Sequence, residues 1–319
     1  MLSYIAKRFG FALLALASVM VLTFLLFQVS SGDIAGAYLG PKASPESRAA
    51  FEEKYHLDWP LINPIWHKNK ENLKFYQTQL FLHIYNTVTF KGKSFATGQT
   101  LWEIVRERGA ASLALSVPIL ALGWFSAMIV SCFVAYYRGT WIDHIGVFIC
   151  VLGMCIPYLA YMIFGQMFMF WLCPTAAWGI DPISNIYLPV AIAVLAGLGS
   201  SVRFYRTVIL NEINQDYVRT ARAKGVPLPG ILFKHVLKNC MLPILTNLVM
   251  VVPFLILGNL LLENFFGIHG LGDLMINSIS TRDIPIIYTL TFWTALLYIS
   301  ALFVTDVLYA VFDPRIRLR

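Results

Sequence analysis

Three short clusters in this chain of 319 residues combine residue types and spacings that chemistry could use. Gly92-Lys93-Ser94 ends like the phosphate cradle G-x-x-x-x-G-K-[ST], in which backbone amides and a lysine hold nucleotide phosphates. The first glycine of that pattern would stand at position 87, which is Thr87, so the chain is expected not to hydrolyse nucleotide. Gly270-Leu-Gly-Asp273 spells the G-x-G-D of a membrane aspartyl protease. That chemistry needs two carboxylates sharing a proton. No aspartate follows a tyrosine to supply the second, and Asp306 is expected near the opposite membrane face, so a glycine-rich re-entrant turn at an outer mouth is the better reading. His56, His67, His83, His144, His235 and His269 are scattered with no zinc spacing, and no metal site is assigned; a lone histidine such as His269 reads as a hydrogen-bonding surface group. Cys132, Cys150, Cys155, Cys173 and Cys240 form no Cys-x-x-Cys pair and read as small apolar packing groups. The chain is expected not to be an enzyme.

The elements that must position such residues are apolar. Hydrophobic residues make up 58% of the chain and charged ones 13%, about half the charge usual in soluble domains. The composition places the chain in a membrane, and its net charge of +7 belongs to loops beside apolar spans rather than to a nucleic-acid surface. Phe9 to Val29 carries no charge and would be roughly 31 Å long as a helix, against a hydrocarbon core of about 30 Å. Five further spans are expected near Ala111 to Tyr137, Ile145 to Leu172, Ile186 to Ser201, Leu242 to Leu262 and Ile284 to Val311. About six spans put both termini in the cytoplasm. The loop Arg138 to His144, the long loop from Arg203 and the tail Arg315, Arg317 and Arg319 then lie inside, as the positive-inside rule asks. Residues 32–110 form a polar extracytoplasmic insert with aromatic residues Trp59, Trp66, Phe75, Tyr76, Phe81 and Tyr85. The expected domains are thus a first transmembrane helix at 1–31, the insert at 32–110 and a five-helix core at 111–319. Pro118, Pro157, Pro189 and Pro253 are expected to kink spans. Asp306 and Glu263, ionisable groups at span ends, are each read as either functional or snorkelled.

The segment Asn211 to Pro243 is polar and basic yet helically patterned. On a helix Tyr217, Val218, Ala221 and Gly225 share one face while Arg219 and Arg222 project on another. Arg219-Thr-Ala-Arg-Ala-Lys-Gly225 with the closing Leu242-Pro243 resembles the cytoplasmic loop of membrane permeases in ATP-binding-cassette importers, in the oligopeptide/dipeptide/nickel branch. Lys54-Tyr-His-Leu-Asp58, Glu263-Asn-Phe-Phe-Gly-Ile-His-Gly-Leu-Gly272 and the tail from Asp306 to Arg317 are similar to other blocks of the same branch, so the resemblance spans nearly the whole chain.

The resemblance implies an all-α integral membrane protein of the type I permease fold, working in a bacterial inner membrane. It implies an ATPase-coupling loop at 203–242 in which Tyr217, Arg219, Thr220, Ala221, Ala223, Lys224, Gly225, His235, Leu242 and Pro243 fit a cleft on a partner. An outer gate would include Phe266, Gly267, Gly270 and Gly272. Its partners would be a homologous second permease, two ATPases that bind ATP and Mg, an extracytoplasmic solute-binding protein and membrane lipid, with no cofactor on this chain and no nucleic acid. The cargo implied is an oligopeptide or dipeptide, with nickel or another small solute as the alternative. A gradient-driven secondary transporter is the rival class, and it would call for repeated halves and ionisable groups at mid-membrane, neither of which the sequence carries.

Overall fold

Uncharged runs of Leu, Ile, Phe, Val and Ala in a bilayer must satisfy every backbone polar group internally, and the chain answers with helices. The computed structural model describes residues 2–31, 33–40, 42–62, 76–172, 183–257 and 259–312. Trp66, His67, Phe75, Cys173 and the tail with Arg315, Arg317 and Arg319 lie outside the described residues. Among the described residues the only β pairing is one isolated bridge, Lys93 with Thr100. Packing divides the chain into two compact units, Met1–Gly109 with Asp273–Arg319, and Ala110–Gly272. This grouping cuts across the sequence division at 1–31, 32–110 and 111–319.

In the first unit, α1 (Leu2–Ser31) packs along α14 (Ile284–Phe312), and α4 (Gln79–Thr89) lies against both. Arg8 and Asp306 form an ion pair of 3.1 Å between α1 and α14, which gives the Asp306 carboxylate a specific partner. The insert is ordered in its described parts. Short helices α2 (Ile34–Leu39) and α3 (Pro45–Tyr55) carry Tyr38, Phe51 and Tyr55, whose rings meet Phe95 at centroid distances of 5.5, 5.1 and 4.5 Å. Each helix start is capped by the side chain before it, Asp33, Ser44 and Thr78. The loop after α4 is held by Asp283, 1% exposed. Its carboxylate accepts from Ser94 Oγ at 2.5 Å and from the backbone amides of Phe95 and Ala96 at 3.1 and 3.2 Å. Ser94 Oγ and the two amides after it are thus bound to a carboxylate, which has the wrong charge to share the loop with an anion.

The second unit takes the rest of α5 (Leu101–Tyr136), then α6 (Trp141–Cys155), α7 (Tyr158–Leu172), α8 (Tyr187–Ile213), α9 (Asp216–Ala223), α10 (Leu228–Gly230), a π-helical turn Ile231–Val236, α11 (Leu237–Leu257) and α12 (Leu260–Phe265). A helix α13 (Leu271–Thr281) begins at its end. One core cluster joins α5, α6, α8, α9 and α11 through Ala127, Cys150, Val202, Ile209, Val218 and Ile244. A second joins α5, α7, α8 and α12 through Leu115, Met162, Ile192, Leu262 and Phe266.

Several expected spans are redrawn. Among the described residues α1, α5, α8 and α14 are long and apolar enough to cross a membrane, and the pair α6 and α7 adds a fifth if taken together. The span expected at Ile145 to Leu172 is this pair, two helices of 15 residues bent by 98°. Pro157 has no N–H to donate and pushes Ile156 into extended backbone, φ −81° and ψ 122°. Each half is about 22 Å long, too short to cross alone. The span expected to stop at Ser201 runs on to Ile213, so Arg203 and Arg206 are helical rather than in a loop. Pro189 lies in the first turn of that helix, where a missing N–H costs nothing. The span expected at Leu242 to Leu262 starts earlier, at Leu237, and ends at Leu257, leaving Glu263 on α12. Of the cysteines, Cys150 and Cys240 are buried as packing groups, whereas Cys155 is exposed.

Candidate functional site

Two turns of the second unit carry the residues singled out by sequence, and both are built in the same way. At the end of α9, Gly225 adopts φ +78°. Its N–H donates to the Arg222 carbonyl at 2.9 Å, and the next N–H, of Val226, reaches back to the Ala221 carbonyl at 3.2 Å. This pair of bonds is the Schellman ending, which stops a helix and favours glycine at the residue in the left-handed region. At the end of α12, Gly267 has φ +62°, its N–H bonds the Asn264 carbonyl at 3.3 Å, and the Ile268 N–H bonds the Glu263 carbonyl at 2.8 Å.

Helix α9 is pinned on its inner face. Val218 and Ala221 are buried beside Val202, Tyr205, Ile209 and Ile231, and Val218 alone contributes about 1.5–3 kcal/mol by leaving solvent. Tyr217 is half-buried and donates its hydroxyl to Glu212 Oε2 at 2.7 Å, tying α9 to the last turn of α8. Burial pushes the Tyr217 phenol up to about 12, with an Asn239 hydrogen bond lowering it and the Glu212 carboxylate raising it further. The outer face exposes Arg219, Thr220, Arg222, Ala223, Lys224 and Gly225. Ala221, expected to leave room for a partner, instead packs inside its own unit, and the exposed small residue of the pair is Ala223. Arg219 pairs with Asp216 at 3.3 Å, but with side chains 77% and 94% exposed the pair holds the guanidinium only weakly. His235, Leu242 and Pro243 are half-buried. Pro227 and Pro229 are exposed, the first just before α10 and the second within it, so the expected two short helices are in fact α9 and the leading turns of a rod that continues as α11.

Sequence reasoning missed two features beside this helix. Phe233 stands 64% exposed in the turn that leads into α11; its signal was an aromatic residue beside the cation Lys234 in sequence. The other is Asp143, 5% exposed at the start of α6. Arg206 of α8 grips it through Nε at 2.9 Å and Nη2 at 2.8 Å, and Asp143 also accepts the Gly139 N–H at 3.0 Å. A forked, two-bond contact of this kind fixes direction as well as distance. Arg138 adds a bond from Nη1 to Asn214 Oδ1 at 3.4 Å, so the loop between α5 and α6 is fastened to both the shaft and the end of α8. The signal here was a lone acid at the edge of an apolar run, which is costly unless paired.

The other turn closes over a buried carboxylate. Glu263 is fully buried and its Oε2 accepts the Gly272 N–H at 2.8 Å. Ser112 of α5, also fully buried, accepts the Leu271 N–H at 2.7 Å. A Cβ on Gly270 would come within 2.3 Å of Glu263 Oε2 and 2.4 Å of Ser112 Oγ, and one on Gly272 within 2.9 Å of the Leu260 backbone. These glycines are there for close approach, and Gly267 for its φ. Phe266, expected at a gate, is 5% exposed and belongs to the core cluster with Leu115 and Met162. Asn259 caps α12 and donates to the Tyr158 hydroxyl at 2.7 Å, joining α12 to α7. In the first unit, Asp273 pairs with Arg108 at 3.4 Å, a cation where aspartyl protease chemistry would need a carboxylate.

Residues 112–318 match the family described as the binding-protein-dependent transport system inner membrane component. Over its whole length the chain is 29% identical to the dipeptide transport system permease protein DppB of Lactococcus lactis subsp. cremoris, all of which is covered. It is 31% identical over 99% of both chains to the glutathione transport system permease protein GsiC of Salmonella choleraesuis. It is 28% identical over 99% of both chains to a putative peptide transport system permease protein of Brucella abortus.

Proposed function

The chain belongs to the family of binding-protein-dependent transport system inner membrane components, and from that premise we propose that it is one of two permease subunits of an ATP-driven peptide importer. It is a transport permease of the ATP-binding-cassette class and not an enzyme. In the proposed assembly a homologous permease completes the translocation path, two ATPase subunits supply ATP hydrolysis with Mg, and a solute-binding protein delivers cargo. Dipeptides, glutathione and peptides, the cargoes in the relatives' names, share short amide-linked chains, and the proposed cargo is of that class. Both termini lie in the cytoplasm, with Arg138, Arg203 and the α9 cations on the same side.

The observation that carries the mechanism is α9: anchored on one face by Val218, Ala221 and Tyr217, and presenting an exposed row of cations and a glycine turn on the other. A helix pressed by a partner transmits the displacement only if it is fastened behind. Here the fastening runs through Glu212 to α8, and from α8 through Arg206 to α6. ATP favours closed ATPases, closed ATPases move α9, and α8 and α6 follow, which shifts the balance between outward and inward openings of the path. The test is uptake by vesicles holding the complete transporter. Gly225→Phe or Arg219→Glu with Arg222→Glu is expected to abolish ATP-dependent uptake while the chain still inserts and assembles with the second permease. Unimpaired uptake, or accumulation by vesicles containing this chain alone, overturns the proposal.

A further inference from the structure

A cavity of about 110 Å³ lies in the first unit. It is enclosed by the outer end of α1, by α4, by the loop after α4 and by the start of α14. Its walls are chiefly apolar, with Phe24, Leu82, Phe95, Ile284 and Tyr288 among them. Two wall residues, His56 and Lys93, are exposed, so the cavity reaches the surface.

What sets it apart from a packing gap is its polar groups. Gln28 Oε1 and Thr289 Oγ1 are buried atoms of wall residues, and neither makes a hydrogen bond among the described residues. Thr289 is 1% exposed. Buried polar groups are almost always satisfied, and leaving one without a partner costs about 1–3 kcal/mol. Thr289 is telling within its own helix. Thr294 and Thr305 of α14 return their hydroxyls to the Leu290 and Ala301 carbonyls, at 2.6 and 2.9 Å. At Thr289 the same turn leaves the hydroxyl uncommitted.

The chemistry of the missing occupant follows from these groups. Among the described residues no carboxylate or arginine lines the cavity, and the one formal cation among them, Lys93, is exposed, so a charge placed deep inside would be uncompensated. The occupant is neutral there. The Gln28 carbonyl oxygen calls for a donor and the Thr289 hydroxyl for an acceptor, and an amide supplies both, whereas a lipid ester supplies acceptors only. An apolar cavity of about 150 Å³ takes up benzene, so this one has room for an aliphatic side chain. We propose that the cavity binds one apolar residue of a short peptide, its side chain against Phe24, Leu82 and Tyr288 and its backbone amide against Gln28 and Thr289. This rests on the peptide reading above and adds to it a site on the extracytoplasmic insert.

The probe is N-acetyl-L-leucinamide, added to the full chain in lipid nanodiscs and followed by saturation-transfer NMR. Saturable binding is expected, weakened about five-fold by Thr289→Val, as loss of one hydrogen bond would do. Leu82→Trp, which fills the cavity, is expected to abolish it, and a tripeptide with a central leucine to displace the probe. Thr289→Val keeps the shape of the residue, so the test survives if Leu82→Trp fails to fold. Absence of saturable binding, equal binding by both variants, or displacement by a short-chain phospholipid but not by the tripeptide overturns the proposal. Because the assay uses neither ATP nor partners, a transporter that imports peptides through a chain with no binding sinks the cavity alone, and binding without ATP-driven uptake sinks the importer alone.

Discussion

Glycines at the turns after α9 and α12 do different work, and substitution separates them. At Gly225 an added Cβ meets nothing within 4 Å, so Gly225→Ala is penalised by backbone conformation alone, about 1 kcal/mol. At Gly270 the Cβ would drive into the Glu263 carboxylate and the Ser112 hydroxyl, both fully buried and neither the far end of a free side chain. Gly270→Ala is therefore expected to cost about 2–4 kcal/mol. Thermal unfolding of the purified chain checks the order of the two, and equal losses would remove the close-approach account. Sequence alone marked these glycines as a turn but not what they turn around. Glu263 looked ambiguous because a carboxylate beside an apolar run is read the same way whether it faces lipid, water or its own backbone. Which of these holds depends on Ser112, about 150 positions earlier in the chain and invisible to any local pattern.

At the scale of elements, the forked contact between Asp143 and Arg206 holds α6 to α8. Asp143→Asn or Arg206→Met leaves a largely buried charge without its partner, a loss of about 3 kcal/mol, while the double replacement is expected to recover much of it. Additive losses in that cycle would show that the two side chains act separately. Helix α4 offers a pH test. Burial pushes the His83 imidazole down to about 4, with the Met20 carbonyl opposing in part. The unfolded chain, with an ordinary histidine near 6.5, binds the extra proton over the interval between the two values. Stability of the insert is therefore fully present above about pH 6.5 and falls as pH drops toward 4, by up to about 3 kcal/mol. Hydrogen exchange of the α4 amides should follow that window, and His83→Gln should flatten it. Helix types were largely legible from the apolar runs, but their ends were not. The break at Pro157 was readable as a kink and not as a 98° bend, because the angle depends on what each half packs against, Ile192 and Leu115 among others for α7. The extension of α8 past Ser201 was hidden because its basic residues look like loop, whereas Arg206 is paid for by Asp143.

For the whole molecule, the exposed apolar faces are those of a membrane protein. Trp171, Phe11, Leu14 and Phe148 are 79%, 67%, 67% and 61% exposed, and in water such surface would drive association. The purified chain without lipid or detergent is expected to aggregate, and light scattering on exchange into buffer checks it. The general identity was written across the chain, since blocks from Lys54 to the tail point the same way, whereas the grouping of α14 with α1 and the insert was not, because it depends on contacts between the two ends of the sequence. One of those contacts sets an order of events. Asp283 fastens the loop at Ser94 from 189 positions away, so a ribosome has made most of the chain before the latch exists. A nascent chain stopped ahead of Asp283 should leave the loop around Ser94 open to protease, and its resistance should arrive abruptly once the final helix is threaded into the bilayer.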